Sequence, residues 1–201
     1  MRTLGVLLAG GRGSRLGGVG PKALVSCGGR TLLARALDTL APLADECVVV
    51  APREMELSLE RAMRVDDRPG EKGPLPALLA ALSARSFDDA VALAVDMPLV
   101  TAAALSALRP LRGGALAVMT APEGVWQPLA AWYASGAREL LERAHMAGER
   151  SLIAACRALA PVIVDDAQRS EMTEGEGFQW NVNSPEDLAS AERLLAQRAS
   201  R

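Results

Sequence analysis

Cysteine and histidine are scarce in this chain of 201 residues: three cysteines and one histidine, with aromatics at 3%. Cys27, Cys47 and Cys156 are far apart and odd in number, which excludes a disulfide framework and a cysteine-ligated zinc site. Long hydrophobic runs are missing too. Each apolar stretch is broken within about ten residues, and a membrane helix needs roughly 20. Neither sign of charge dominates: Lys+Arg 22 against Asp+Glu 24 leaves a net charge of −2. That balance gives no footing for a nucleic-acid groove or an anionic membrane surface. Residues 1–11 lack a charged leader region of useful length and a small-residue cleavage site, so they read as a first strand. A soluble, cytoplasmic protein is expected. Half of the residues are apolar, which excludes a disordered tail. The sequence has no repeat, no low-complexity tract and no linker, so a single domain over 1–201 is expected.

What the chain does have is alternation. Apolar runs of strand length alternate with segments of helical period, the signature of βαβ units around a parallel sheet. Strands are expected at 4–9, 47–51, 90–95, 115–120, 127–133 and 161–164. Amphipathic helices are expected at 31–40, 75–86, 101–108, 136–147 and 151–159. Ser184-Pro185-Glu186-Asp187 opens a last helix, with Ser184 as cap, Pro185 at the first helical position and Asp187 closing a capping box. Residues 165–177, polar and glycine-containing, read as a mobile loop. The fold class is a Rossmann-like α/β domain, its mostly parallel sheet carrying helices on both faces.

The most informative stretch is Leu8-Ala9-Gly10-Gly11-Arg12-Gly13-Ser14-Arg15-Leu16-Gly17-Gly18. A strand that stops on paired glycines lets backbone N–H groups approach a phosphate closely. Arg12, Arg15 and Lys22 add positive charge at the same end of the strand. The dinucleotide fingerprint G-x-G-x-x-G fails, because Leu16 stands at its last position, and the P-loop fails for want of a Gly-Lys pair. Asp96 closes the apolar run 90–95, at the carboxyl end of a strand, where ligands of α/β sheets bind. Its plainer role is to cap the turn before Pro98.

Leu-Ala-Gly-Gly, Arg15-Leu16-Gly17, Lys22 and Gly28-Gly29-Arg30-Thr31-Leu32-Leu33 together resemble the nucleotidyltransferase superfamily. Gly73-Pro74-Leu75 and Asp96-Met97-Pro98 agree with it in order and spacing, and Gln127-Pro128-Leu129, Gly148-Glu149-Arg150-Ser151-Leu152 and Asn181-Val182-Asn183 together narrow the likeness to the molybdenum cofactor guanylyltransferase family. The resemblance implies a fold of the nucleotide-diphospho-sugar transferase type. It also implies an Mg²⁺-dependent transfer of GMP from GTP to molybdopterin, the organic part of the molybdenum cofactor. Residues 1–100 would then form the nucleotide-binding half and 101–201 the acceptor-binding half. Contacts with other cofactor-biosynthesis or molybdoenzyme-maturation proteins are implied as well.

By the same resemblance, Asp96 holds the Mg²⁺, while Arg15 and Lys22 act on the triphosphate. The backbone of Leu8, Ala9 and Gly10 lines the base, Gly11 belongs to the same binding loop, and an aspartate of the pair Asp66-Asp67, favoured as Asp67, contacts the nucleotide. Asn181 and Asn183 stand at the mouth of the acceptor site, unless they only form the turn before the last helix. Trp126, Trp132 and Trp180 offer a pterin something to stack on, or belong to the core. An attacking phosphate is already anionic, so no general base is required, and His145 reads as a surface residue away from every motif. The chain departs from the family at Gly20-Pro21-Lys22, where an aspartate usually precedes the lysine, and at Ala51, where an asparagine is expected. Transfer of CMP, an NTP transferase for a sugar or polyol phosphate, and a silent nucleotide-sensing module are the competing readings. An intact Arg15, Lys22 and Asp96 set speaks against the last.

Overall fold

The computed structural model describes residues 1–10, 20–68, 70–172 and 175–200. β1 (Thr3–Leu8) is buried at every position, as a central parallel strand covered on both faces must be. Gly20, with φ at 88°, takes the left-handed backbone that glycine tolerates and leads through Pro21 into a 3-10 turn at Lys22–Leu24. A short antiparallel ladder follows, β2 (Ser26–Cys27) on β3 (Arg30–Thr31). Thr31 then caps α1 (Leu32–Leu40) by accepting the N–H of Ala34.

β4 (Glu46–Ala51) and β5 (Met63–Asp66) precede α2 (Pro74–Ala84). β6 (Asp89–Ala94), α3 (Ala102–Leu111), β7 (Ala117–Thr120) and β8 (Ala130–Ala134) come next. The chain continues with α4 (Ala137–Met146), α5 (Leu152–Arg157) and β9 (Val162–Val164). It ends with α6 (Asp166–Ser170) and α7 (Pro185–Ala199), whose capping box is the one expected at Ser184 and Asp187.

Seven strands form one sheet in the order β5-β4-β1-β6-β8-β7-β9. Only β8 runs antiparallel to its neighbours, so the sheet is mostly parallel. Side chains alternate between faces along each strand, and two cores result. Leu7, Val49 and Leu93 pack with the helices α1, α3 and α7; Leu4, Val6 and Val48 pack with α2, α4 and α5. The chain moves outward from β1 to β4 and β5, then returns to β6 on its other side. That reversal opens a crevice at the carboxyl ends of β1 and β6, where doubly wound sheets bind ligands.

Three expectations need correction. Residues 165–177 are not simply a loop: α6 forms within them, because Asp165 and Gln168 make a reciprocal capping box, and Gly175–Gln179 is a 3-10 turn. Second, α2 is apolar nearly all round, not amphipathic, since it is sandwiched between the sheet and α4. Third, the strand expected from 127 begins at Ala130, because Pro128 has no N–H to give to a ladder. The segment it frees, Gln127-Pro128-Leu129, faces the crevice instead.

Candidate active site

The crevice is a cleft of about 750 Å³. The ends of the central strands line it, with Leu8 closing β1, Gly10 just beyond it and Asp96 after β6. Asp67, Gly73, Pro74, Trp126, Arg150 and Asn181 also line it. Asp96 is thus at the point where backbone register ends and side chains are free to meet a ligand.

Lys22 and Asn183 reach Asp96 from distant parts of the chain. The Lys22 ammonium donates to Asp96 Oδ2 at 2.8 Å and to Asn183 Oδ1 at 2.7 Å. The lysine side chain is 10% exposed and the aspartate 23%, so the pair is shielded without being sealed. Two backbone anchors set the asparagine in place. The N–H of Val182 donates to the Asp96 carbonyl at 2.8 Å, which lays residues 181–183 beside the end of β6. Asp187 then accepts the N–H groups of Asn183 and Ser184 at 2.9 and 2.8 Å. These N–H bonds, the Ser184 hydroxyl and the nearby Lys22 charge hold the Asp187 carboxyl below the usual carboxylate range. One capping box therefore both starts α7 and aims Asn183.

Asn181, on the other side of Val182, lines the cleft with its Oδ1 buried and unpaired. A buried polar atom without a partner is costly, and here it stands where a ligand can satisfy it. Among the described residues no three His, Cys, Asp or Glu side chains cluster as a metal cage.

Of the sequence-expected residues, Leu8, Gly10, Asp67, Asp96 and Asn181 line the cleft. Ala9 is fully buried, with its N–H given to the Val50 carbonyl. Gly11, Arg12 and Arg15 lie outside the described residues. The two aspartates separate: Asp66 pairs with Arg64 at 2.9 Å, whereas Asp67 faces the cleft, its carboxyl pushed up by burial and by Glu54 and Asp66. Trp126 lines the cleft. Trp132 cannot stack on a ligand, because its ring is buried in the core with the indole N–H on the Leu105 carbonyl at 2.6 Å. Trp180 packs, half-buried, against the same core.

The chain matches the model of the MobA-like NTP transferase domain over residues 5–162. It belongs to that family. A protein of Pseudomonas putida named molybdenum cofactor guanylyltransferase is 34% identical over 186 residues, covering 91% of this chain and 94% of its own. A solved structure from Archaeoglobus fulgidus, molybdopterin-guanine dinucleotide biosynthesis protein A, superposes with a TM-score of 0.78 at 26% identity, over 96% of this chain and 99% of its own. The 2-C-methyl-D-erythritol 4-phosphate cytidylyltransferase of Thermus thermophilus shares the fold, with a TM-score of 0.70 at 22% identity over 94% and 97% of the two chains. Among the described residues no helix of this family member is long and apolar enough to cross a membrane.

His145 corrects an expectation. It is 7% exposed, because the end of α4 turns it toward the segment before α2. There its Nε2 lies 3.0 Å from Glu71 Oε2. Ala137, Leu141 and His145 are the buried residues of α4, a spacing of four that marks one face and was available in the sequence. The same two segments are joined by Arg68, which bonds both carboxylate oxygens of Glu142 at 2.9 and 2.8 Å. That arginine holds the Glu142 carboxyl below its ordinary value. The stabilisation is present above the unfolded-state pKa and lost as pH falls through the lowered folded value. Glu142→Gln should therefore lower the melting temperature at neutral pH but leave it close to wild type in strong acid. Melting curves across acid pH check this; an equal deficit at every pH would remove Glu142 as the titrating group.

Proposed function

We propose that this chain transfers GMP from GTP to molybdopterin, releasing pyrophosphate and forming a guanine dinucleotide cofactor. The carrying observation is the Lys22–Asp96–Asn183 network at the carboxyl end of β6, where Asp96 lines the cleft, in a chain one-third identical to proteins named guanylyltransferases. Residues 1–100 would hold the nucleotide and 101–201 the acceptor.

In this reading an acceptor phosphate oxygen attacks the α-phosphorus in line. The new P–O bond forms as the bond to the α–β bridging oxygen breaks, and that oxygen leaves with pyrophosphate. Positioning and electrostatic stabilisation do most of the work in such chemistry. Lys22 supplies a fixed positive charge where two anions must meet. Arg15 would add a second on the triphosphate. Asn183 keeps the ammonium aimed while Asp96 neutralises it at rest. No side chain has to remove a proton, because the attacking phosphate is already ionised.

The donor set suits Mg²⁺: one carboxylate, Asp96, and the unpaired Oδ1 of Asn181 are hard oxygens, and such ions keep waters and substrate phosphates as further ligands. Bound there, Mg²⁺ would act as a Lewis acid on phosphate oxygens.

Isothermal titration of the four nucleoside triphosphates with Mg²⁺, followed by a transfer assay with molybdopterin, tests the reading. GTP is expected to bind at least tenfold more tightly than CTP, about 1.4 kcal/mol, and to yield pyrophosphate. Ala51, fully buried at the end of β4, cannot give the side-chain hydrogen bond of the asparagine expected there. Tighter binding of CTP would therefore move the protein to cytidylyl transfer.

A further inference from the structure

The transfer chemistry leaves the His145 cluster unused. Glu71 and Arg150 both line the cleft, and His145 lies between them, Nε2 3.0 Å from Glu71 Oε2 and Nδ1 3.5 Å from Arg150 Nη1. An ionised carboxylate only accepts and a guanidinium only donates. One neutral tautomer therefore serves both neighbours: Nε2–H donates to Glu71 and the Nδ1 lone pair accepts from Arg150. The imidazole is 8% exposed, so water cannot readily take either place.

Arg150 is built into this corner. Glu149 Oε1 accepts the backbone N–H groups of Arg150 and Ser151, each at 2.7 Å. Arg150 Nη1 also donates to the carbonyls of His145 and Glu149 at 3.1 and 3.0 Å. Every one of these side-chain bonds runs through Nη1, and among the described residues Arg150 forms no salt bridge. A fork of donors is thus held by one prong, Nη1, while its Nη2 makes no bond among the described residues, and Glu149 is the nearby opposite charge.

We propose, resting on the nucleotidyl-transfer reading, that His145 is a positioning residue: as the neutral Nε2–H tautomer it holds Arg150 on the cleft wall to contact an anionic group of the acceptor other than its reacting phosphate. Trp126 and Ile153 line the same cleft. A guanidinium beside an aromatic and an aliphatic face suits a charged planar heterocycle. The triphosphate belongs with Lys22 and Asp96.

The charged groups around His145 are Glu71 from the segment before α2, Glu142 with its partner Arg68, Arg138 on α4, and Glu149 and Arg150 beyond it.

The chain has one histidine, so in untagged protein its imidazole nitrogen resonances need no assignment. Nitrogen NMR at high pH is expected to show the Nε2–H tautomer, with the Nδ1 resonance moved by Arg150→Ala. An Nδ1–H tautomer, or an Nδ1 resonance indifferent to Arg150→Ala, overturns the proposal without reference to activity. In the transfer assay, His145→Ala and Arg150→Ala should each raise the acceptor KM about tenfold, the size of one hydrogen bond to a charged group, with kcat and the GTP KM held. His145→Gln, whose amide can donate to Glu71 and accept from Arg150, should restore the acceptor KM. A rise in the GTP KM instead would assign Arg150 to the triphosphate. A glutamine variant no better than alanine would reduce His145 to packing. Wild-type protein that makes no guanylyl product would refute the reaction and the acceptor contact together; normal turnover with an unchanged acceptor KM in His145→Ala would refute the positioning role alone.

Discussion

Replacing Asp96 by asparagine should lower kcat by a factor on the order of 10²–10⁴, the range for removing one group that stabilises developing charge. The amide keeps an oxygen to accept from Lys22, so the fold and the placement of Asn183 should survive. What is lost is the one carboxylate at the end of β6 able to hold a divalent cation against substrate phosphates. Alanine is the less informative change. It would leave the Lys22 ammonium, 10% exposed, with Asn183 as its remaining described partner, and an uncompensated charge in a shielded site destabilises the whole structure. Circular dichroism and a melting curve on Asp96→Asn separate the two effects. Near-normal turnover of folded Asp96→Asn in Mg²⁺ would remove the aspartate from the chemistry.

The order of the elements was readable because parallel strands buried on both faces must be uniformly apolar. Residues 4–8 and 90–94 could hardly be anything else, and the end of each lines the cleft. Local chemistry was readable too where it followed a known device, as at the Ser184 capping box. The same device at Asp165 and Gln168 was passed over, because the surrounding polarity and the nearby glycines suggested a loop. His145 was misplaced for a related reason. A lone histidine among charged residues reads as surface, although its spacing from Ala137 and Leu141 put it on the buried face.

The network at the cleft lay beyond spacing rules altogether. Lys22 is 74 residues from Asp96 and 161 from Asn183 in sequence, and no periodicity links them. Only the likeness to a known family placed them in one site. What that likeness could not supply is the device that brings them together: the Val182 N–H on the Asp96 carbonyl and the Asp187 carboxylate under Asn183. Glu71 and Arg150 show the converse. Arg150 fell within a family landmark, yet its link through His145 to Glu71 emerged only when the folded chain brought the three together.

Lys22→Ala should lower kcat more than it raises the KM for GTP. The ammonium is held between Asp96 and Asn183 before substrate arrives, so its position is set by the fold and not by the nucleotide. A triphosphate with its metal still carries negative charge on the α-phosphoryl group, and a second phosphate must approach that centre. A fixed cation relieves this repulsion more in the transition state than in the ground state, and only such differential interactions raise kcat. The loss should be on the order of 10²–10³, as for other single donors aimed at developing charge. Lys22→Arg should recover part of it and no more, because a planar guanidinium cannot enter a space shaped around a compact ammonium with two partners at 2.8 and 2.7 Å. Steady-state kinetics of both variants decide the matter. If Lys22→Ala changes only KM, the lysine binds ground and transition states equally, and its part in the chemistry is that of a tether. If both variants turn over normally, the Lys22–Asp96 pair serves only to join the 3-10 turn at Lys22 to the end of β6, and the cation for the triphosphate must come from elsewhere.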